Sequence, residues 1–136
     1  MISTRGRYAI RIMIDIAENS DGNFIPLKDI AKRQDLSKKY LESIVKDMVS
    51  GKLLIAASGK GGGYKLARNP EEYNIGEILE LMEGTLSSVA CLAAETNNCE
   101  RKETCQTLPM WIEYDNLVHD FFYGKKLSDL LKTKMR

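Results

Sequence analysis

Residues 37–66, which read SKKYLESIVKDMVSGKLLIAASGKGGGYKL, decide the fold of this 136-residue chain. The first half has apolar residues at helical spacing, and Ser37 is a good N-cap for that helix. Two short apolar runs flank the glycine-rich stretch 59–63, which predicts a β-hairpin with a turn longer than two residues. The stretch therefore predicts a helix that leads into a flexible, basic hairpin.

Two more helices are predicted on the N-terminal side of this stretch. Apolar residues recur with the helical period from Tyr8 to Ala17, with Thr4 as N-cap, and Pro26 opens a short second helix after a polar loop. Three helices followed by a hairpin is the element order of a winged helix-turn-helix. Because the alternating β and α units of nucleotide-binding folds are missing from the pattern, the sequence disfavours an α/β protein.

The C-terminal half predicts helices on both sides of an irregular segment. Asn74 caps a fourth helix, residues 85–107 show no clear period, a longer helix has Pro109 in its first turn, and Ser128 caps a last short helix. The longer helix carries an apolar stripe formed by Trp111, Tyr114, Leu117, Val118 and Phe121. The stripe packs within the chain or against a second copy, and we predict a homodimer because one winged-helix core has little surface left to cover it.

Charge divides the chain near Pro70. Residues 1–70 carry 13 Lys and Arg against 7 Asp and Glu, whereas residues 71–136 carry 7 against 12. A basic unit joined to an acidic scaffold is typical of an anion-binding module. We predict a mainly α fold with a small β-hairpin: a winged helix-turn-helix DNA-binding domain at 1–70, a linking helix and cysteine loop at 71–107, and a long dimerisation helix with a final helix at 108–136.

Several other classes are disfavoured by composition. The chain is 43% hydrophobic and 29% charged, and it has neither an apolar run of membrane-spanning length nor the pattern of a signal peptide. We therefore expect a cytoplasmic protein without a membrane partner. A thiol enzyme is a poor alternative, because a cysteine nucleophile needs a positioned base and the single histidine, His119, lies in the predicted dimer helix.

The helix after Ser37 is the predicted reading helix, because the second helix of a helix-turn-helix enters the major groove N-terminus first. Lys38 and Lys39 lie in its first turn, where the helix dipole disfavours a cation by about 0.3–1 kcal/mol, so their placement favours an approaching phosphate or guanine edge. Glu42 either accepts from a cytosine amino group or pairs with Lys38 or Lys46 one turn away. Double-stranded DNA is the predicted partner.

The glycine-rich turn is interpreted as the tip of the wing. A nucleotide-binding phosphate loop is disfavoured, because Gly61 rather than Ser or Thr follows Lys60, and Leu54 stands where such a loop needs its first glycine. In a wing, the glycines allow close approach to a backbone, and Lys60 supplies a charge that a narrow minor groove attracts.

Five short motifs along the chain are spaced as in a known family. They are Thr4-Arg5-Gly6-Arg7-Tyr8-Ala9, Ile30-Ala31, Ser37 with Tyr40-Leu41-Glu42, Gly61-Gly62-Gly63-Tyr64-Lys65-Leu66, and Ile75-Gly76-Glu77-Ile78. From residue 2 to about residue 133 the chain resembles the IscR/NsrR/CymR superfamily of bacterial winged-helix regulators. The resemblance implies a homodimer that is joined by a long C-terminal helix and binds imperfect palindromes.

The resemblance also implies which residues contact DNA. Four positions match the family's recognition-helix contacts, namely Ser37, Lys39, Tyr40 and Glu42. Ser58 occupies a wing position where several members carry Arg, and Lys60 offers a replacement charge. The predicted DNA-binding residues are therefore Arg5, Ser37, Lys38, Lys39, Tyr40, Glu42, Ser58 and Lys60.

Cys91, Cys99 and Cys105 lie in the irregular segment, separated by seven and five residues. No Cys-x2-Cys pair exists, so the zinc-ribbon and ferredoxin patterns do not apply, and spacing alone supports incidental thiols as well as a metal site. Their polar surroundings disfavour burial in a core. The resemblance implies more, because the IscR and NsrR branches hold an iron–sulfur cluster on a three-cysteine loop at this place, whereas CymR-like members lack the loop.

The fourth ligand of such a cluster stays open. The IscR branch uses a histidine where this chain has Leu108, and the NsrR branch uses an acidic residue where this chain has Tyr8. We interpret His119 as a structural residue. We predict a 2Fe-2S or 4Fe-4S cluster on Cys91, Cys99 and Cys105, in a regulator of transcription, such as a repressor, that senses cluster, redox or nitric oxide status. The alternatives are zinc, thiol oxidation, or control by a partner protein.

Overall fold

The computed structural model describes residues 2–93 and 99–132. The helices in these ranges are α1 (Thr4–Asn19), α2 (Leu27–Gln34), α3 (Lys38–Ser50), α4 (Ile75–Glu83), α5 (Ala90–Ala93) and α6 (Leu108–Tyr123). Strands β1 (Leu54–Ala57) and β2 (Gly63–Leu66) form an antiparallel hairpin, in which Leu54 pairs with Leu66. Short 3-10 turns follow at Pro70–Glu72 and Leu127–Leu130. The predicted mainly α fold with a winged helix-turn-helix is confirmed.

Helix α1 is the centre of the hydrophobic core. It packs against α2, α3 and α4, and its apolar face is fully buried at Ile12 and Ile16. The spacing of one turn between these residues places them on one face, as the helical period requires. Other fully buried residues come from each neighbouring helix, including Ile30, Leu41, Ile44, Met48, Ile78 and Leu79. The core therefore fixes α3 against the other helices of the N-terminal unit.

The ends of the helices agree with most of the predicted caps. The Ser37 hydroxyl accepts from the backbone N of Tyr40 at 3.3 Å, and Asn74 forms a capping box in which its side chain accepts from the backbone N of Glu77 at 2.7 Å. The N-cap of α1 is Ser3 rather than Thr4, because the Ser3 hydroxyl accepts from the backbone N of Gly6. Ser128 lies inside a 3-10 turn instead of capping a helix.

The base of the wing is joined to the segment before α2. Ile25 and Tyr64 exchange two backbone hydrogen bonds, at 2.8 and 2.9 Å, and form an isolated antiparallel bridge beside β2. This pairing brings the backbone so close to Gly63 that an added Cβ would lie 2.2 Å from the Ile25 carbonyl oxygen, and the φ of Gly63 is +141°. At this position the glycine permits a close approach within the chain itself.

The segment after α6 is joined to the same wing through Tyr73. The buried Tyr73 hydroxyl donates to the Leu53 carbonyl at 2.7 Å and accepts from the backbone N of Ala67 at 2.9 Å. The Tyr73 carbonyl accepts from the backbone N of Leu127, and the backbone N of Ile75 donates to the Lys125 carbonyl. The wing and the C-terminal end of α6 are therefore joined through one short stretch of chain.

Candidate nucleic-acid interface and cysteine segment

The first turns of α3 present the predicted reading face to solvent. Lys38, Lys39 and Glu42 are exposed, and Tyr40 is 38% exposed. The turn between α2 and α3 passes through Asp35, whose φ of +54° and ψ of +50° are left-handed. With 13 residues, α3 extends for roughly 20 Å, which is long enough to lie in a major groove.

Tyr40 is held by residues of α1. Its ring meets the Tyr8 ring edge-on, with 5.6 Å between centroids and 82° between planes. The Arg11 guanidinium lies 5.2 Å from the centroid of the Tyr8 ring and donates to the Gln34 carbonyl at 2.6 Å. The orientation of Tyr40 on the reading face therefore depends on a chain of contacts that reaches the end of α2.

Two other predicted contact residues have distinct surroundings. The Arg5 guanidinium donates to the hydroxyl and the carbonyl of Ser43 at 3.1 and 3.2 Å and forms an ion pair with Asp47, so it links α1 to α3. Glu42 forms no ion pair with Lys38 or Lys46 in the part of the chain that the structure describes. The exposed Glu42 carboxylate is thus open to a base edge.

The wing tip carries the remaining predicted contacts. Ser58 and Lys60 are exposed in the turn between β1 and β2. Gly59 and Gly61 in that turn have φ values of +82° and +79°, and an added Cβ on either would meet nothing within 4 Å. Gly59 and Gly61 therefore have free space around them, unlike Gly63 at the base of the wing.

A buried acidic residue that the sequence pattern did not single out braces the helix-turn-helix. The Asp15 side chain, 2% exposed, accepts from Arg33 at 2.8 and 3.0 Å and from the Gln34 amide at 2.9 Å. The hydrogen bond to Asp15, opposed by partial desolvation, raises the pKa of the Arg33 guanidinium. The sequence does contain a signal for this role, because Asp15 is a charged residue directly before Ile16, which lies on the apolar face of α1.

The three cysteines lie in separate surroundings. Cys91 is half-buried in α5, Cys99 is exposed, and the Cys105 thiol lies 3.5 Å from the Thr107 hydroxyl. Hydrogen bonds from the Thr107 side chain and backbone lower the pKa of Cys105, which favours its thiolate. Within residues 2–93 and 99–132, no three His, Cys, Asp or Glu side chains are grouped as a metal site. Residues 94–98 of the predicted cysteine loop lie outside the described residues.

Asp115 of α6 holds the segment that leads to Cys91. Its carboxylate accepts from the Ser87 hydroxyl at 2.5 Å, from the Ser88 backbone N at 3.0 Å and from the Ser88 hydroxyl at 2.7 Å. Desolvation raises the pKa of Asp115, but these hydrogen bonds outweigh it and the net shift is downward. The start of the cysteine segment, by which we mean residues 85–107, is therefore fastened to α6.

Much of the apolar stripe of α6 is uncovered. Tyr114, Leu117 and Phe121 are 50%, 65% and 57% exposed. Beside them lies an apolar cleft of about 400 Å³, with Ile2 and Leu86 on its far side. No helix among the described residues is long and apolar enough to cross a membrane.

His119 lies on α6 and borders a small pocket that Leu92 of α5 also lines. Its ring stacks on Tyr123 with 4.2 Å between centroids, and the Tyr123 hydroxyl donates to Glu80 at 2.6 Å. Partial burial and the hydrogen bond to Glu80 raise the pKa of Tyr123 to about 12. The hydrogen bond between Tyr123 and Glu80 fastens α6 to α4, whereas the stack of His119 on Tyr123 lies within α6. The structural role of His119 stays a prediction.

Comparisons with known proteins agree with this architecture. The model of a family described as "Rrf2: Iron-dependent Transcriptional regulator" matches residues 2–133. The chain is 33% identical to the HTH-type transcriptional regulator IscR of Cereibacter sphaeroides, over 99% of this chain and 89% of the relative. It is similar to the structure of CymR, the global cysteine regulator of B. subtilis, with a TM-score of 0.78 and 30% identity over 98% of this chain and 97% of that one. T. potens IscR gives a TM-score of 0.73 at 28% identity, over 98% and 87% of the two chains.

Proposed function

The chain belongs to the Rrf2 family of DNA-binding transcriptional regulators, and from this premise we propose that it acts in the cytoplasm as a homodimer on imperfect palindromic DNA. Its relatives are regulators of transcription and not enzymes. The observation that carries the proposal is the exposed start of α3, where two lysines, a tyrosine positioned by Tyr8 and an exposed carboxylate lie within the first two turns. Residues 1–70 form the proposed DNA-binding domain.

The residues of this face have different roles in the proposal. Lys38 and Lys39 neutralise phosphates and approach guanine edges, while Ser37 and Tyr40 add polar contacts beside them. Glu42 accepts from a cytosine amino group, which supplies sequence discrimination. On the wing, Lys60 enters the minor groove beside Ser58. Arg5 acts mainly by holding α3 against α1, as its contacts with Ser43 and Asp47 support.

The DNA-binding proposal is tested by a charge removal on the reading face. Lys39→Ala should weaken binding to promoter fragments from the host genome and flatten its salt dependence, because a protein that neutralises fewer phosphates releases fewer counterions. Lys52→Ala removes the same charge just beyond the C-terminal end of α3 and serves as the control. Equal affinities of both variants and wild type for DNA, measured by fluorescence anisotropy, would contradict the assignment.

The homodimer is proposed from the exposed apolar stripe. At roughly 25 cal/mol per Å² of buried apolar surface, covering side chains such as Leu117 and Phe121 is a substantial driving force. A second α6 is a suitable cover because it offers the same stripe, as in a two-fold interface. Two reading helices then face half-sites about one turn of DNA apart.

The proposed cofactor is an iron–sulfur cluster, 2Fe-2S or 4Fe-4S, on Cys91, Cys99 and Cys105. Three thiolates supply the soft ligands that such iron requires, and the lowered pKa of Cys105 favours the ligating form. When bound, the cluster supplies reversible sensitivity to oxidants and nitric oxide. The family description as iron-dependent supports this assignment.

The proposed route from the cysteine segment to DNA runs through Asp115. Its hydrogen bonds attach Ser87 and Ser88 to α6, so a rearrangement around Cys91 shifts the segment against the dimer helix. The backbone bonds between residues 73–75 and 125–127 attach the end of α6 to the wing. A change at the cysteines is thereby coupled to the separation of the two reading helices.

Anaerobic reconstitution with iron and sulfide tests the cofactor. The wild-type protein should become brown and retain both elements, and each single Cys→Ala variant should lose the colour. The His119→Ala variant should keep it, because His119 is engaged with Tyr123. Retention of zinc without sulfide, or a DNA affinity that responds only to thiol oxidation, would overturn the cluster and favour the cluster-free alternative.

A further inference from the structure

A cleft of about 610 Å³ opens between the start of α2, the start of α3 and the wing. Lys28 and Lys38 are its charged lining residues, and Ser58 and Gly59 border it from the wing. The lining that the structure describes includes no carboxylate. We call this feature the Lys28 cleft.

Lys28 is available for an external anion. It is exposed and forms no ion pair within residues 2–93 and 99–132. Its acidic neighbour Asp29 does not line the cleft, and the charge of Asp29 acts on Arg33 one turn further along α2. The charge of the Lys28 cleft is thus uncompensated by the protein groups that the structure describes in its lining.

The position of the cleft matches the path of a DNA strand. In a helix-turn-helix the first helix crosses the sugar-phosphate backbone while the second lies in the major groove. The Lys28 cleft has α2 on one side and Lys38 of the reading helix on another, and the wing closes the third side. A strand that leaves the groove beside α3 would pass over this opening.

We propose that the Lys28 cleft seats a phosphate group of the DNA backbone and that Lys28 is a further DNA-contacting residue. The proposal rests on the DNA-binding function above and extends its contact surface from α3 and the wing to α2. A phosphate contact of this kind fixes the position of the protein on the duplex without reading its sequence. The expected contribution is therefore equal on any DNA.

The test compares Lys28→Gln with wild type on a fluorescein-labelled duplex of random sequence. The slope of log K against log salt, measured between about 50 and 200 mM, should become shallower by about 0.9 for each phosphate that the protein no longer neutralises. Because both copies in a homodimer carry the substitution, the slope should change by about 1.8. Lys28→Arg keeps the charge and should restore the wild-type slope.

Lys52→Gln is the matched control, because Lys52 is exposed and follows the far end of α3. It should leave the slope unchanged, and thermal unfolding should show that all variants remain folded. A Lys28→Gln slope equal to that of wild type, or an equal change in Lys52→Gln, would overturn the inference and leave the proposed function intact. Wild-type protein without salt-dependent DNA binding would overturn both.

Discussion

At Gly63 the backbone of the wing lies against Ile25, and this single close approach constrains the residue type. The φ of +141° disfavours any L side chain. An added Cβ would also lie 2.2 Å from the backbone carbonyl oxygen of Ile25, which cannot move aside as the end of a flexible side chain could. Gly63→Ala should therefore lower the free energy of unfolding by about 3 kcal/mol, because strain adds to the steric conflict. Urea denaturation measures this change.

Gly59→Ala provides the comparison, because Gly59 also has a positive φ but open space around it. We expect it to cost only about 1–2 kcal/mol, the penalty of the left-handed conformation alone. If Gly59→Ala destabilises the protein as much as Gly63→Ala, close packing at the base of the wing is not the cause.

Residue-scale features differ in how far the sequence predicts them. Ser37 and Asn74 could be assigned as caps because a cap depends on residues three positions apart. The partners of Arg5 lie 38 and 42 positions away, and those of Asp15 lie 18 and 19 positions away. Such pairs depend on how helices pack, so local spacing does not reveal them.

Among the elements, α6 connects the cysteine segment to the wing, and Asp115 is the residue through which the cysteine segment is held. Asp115→Asn removes the negative charge of the carboxylate that accepts hydrogen bonds from Ser87 and Ser88. It should lower the free energy of unfolding by about 1 kcal/mol at neutral pH, because hydrogen bonds to a charged group are stronger than those to a neutral amide. Asp120→Asn on the same helix, with a side chain 85% exposed, should change it by less than about 0.5 kcal/mol.

The pH dependence of the Asp115 contribution follows from its lowered pKa. The folded-state pKa lies below the unfolded value of about 3.9, so the stabilisation is present above that value and disappears as the pH falls through the folded pKa. The difference in stability between wild type and Asp115→Asn should therefore shrink on acidification below about pH 4. A difference that grows on acidification would contradict the role given to this carboxylate.

The elements themselves were largely predictable. The helical period located α1 to α4 and α6, because each has an amphipathic pattern over two turns or more, and the caps Ser37 and Asn74 also marked the starts of α3 and α4. The last segment, Leu127–Leu130, was not predictable in the same way. It forms a 3-10 turn in which Leu127 is fully buried, whereas the sequence pattern indicates a helix capped by Ser128. The bridge from Ile25 to Tyr64 also escaped prediction, because a single pair of residues carries no period.

For the whole molecule, the exposed stripe of α6 predicts that assembly depends on Leu117. Leu117→Glu places a charge where two copies would meet and removes about 1.5–3 kcal/mol of apolar burial from each chain, which weakens the dimer by roughly a hundredfold or more. Asn116→Glu adds the same charge on the neighbouring exposed position and should leave the dimer intact. Sedimentation equilibrium distinguishes the two, and a dimeric Leu117→Glu protein would show that α6 is not the interface.

The proposed assembly goes beyond what one chain displays. The residues of the predicted reading face lie within one helix, so helical spacing keeps them near one another, whereas a cysteine site spread from Cys91 to Cys105 depends on how an irregular segment closes. Its grouping is not set by helical or strand periods, and the described residues do not bring three ligands together. The same reasoning applies to the dimer, whose second surface belongs to another molecule.

Selection of DNA from a random pool of duplexes by the wild-type protein tests the central claim most directly, because it depends on the reading helix, the wing and the dimer together. Protein prepared with and without anaerobic reconstitution is incubated with the pool, and the retained duplexes are sequenced. We predict that at least one preparation enriches an inverted repeat whose half-sites are about 10 base pairs apart from centre to centre. Enrichment of no sequence, or of a single unrepeated half-site, in both preparations would contradict a homodimeric, sequence-specific regulator.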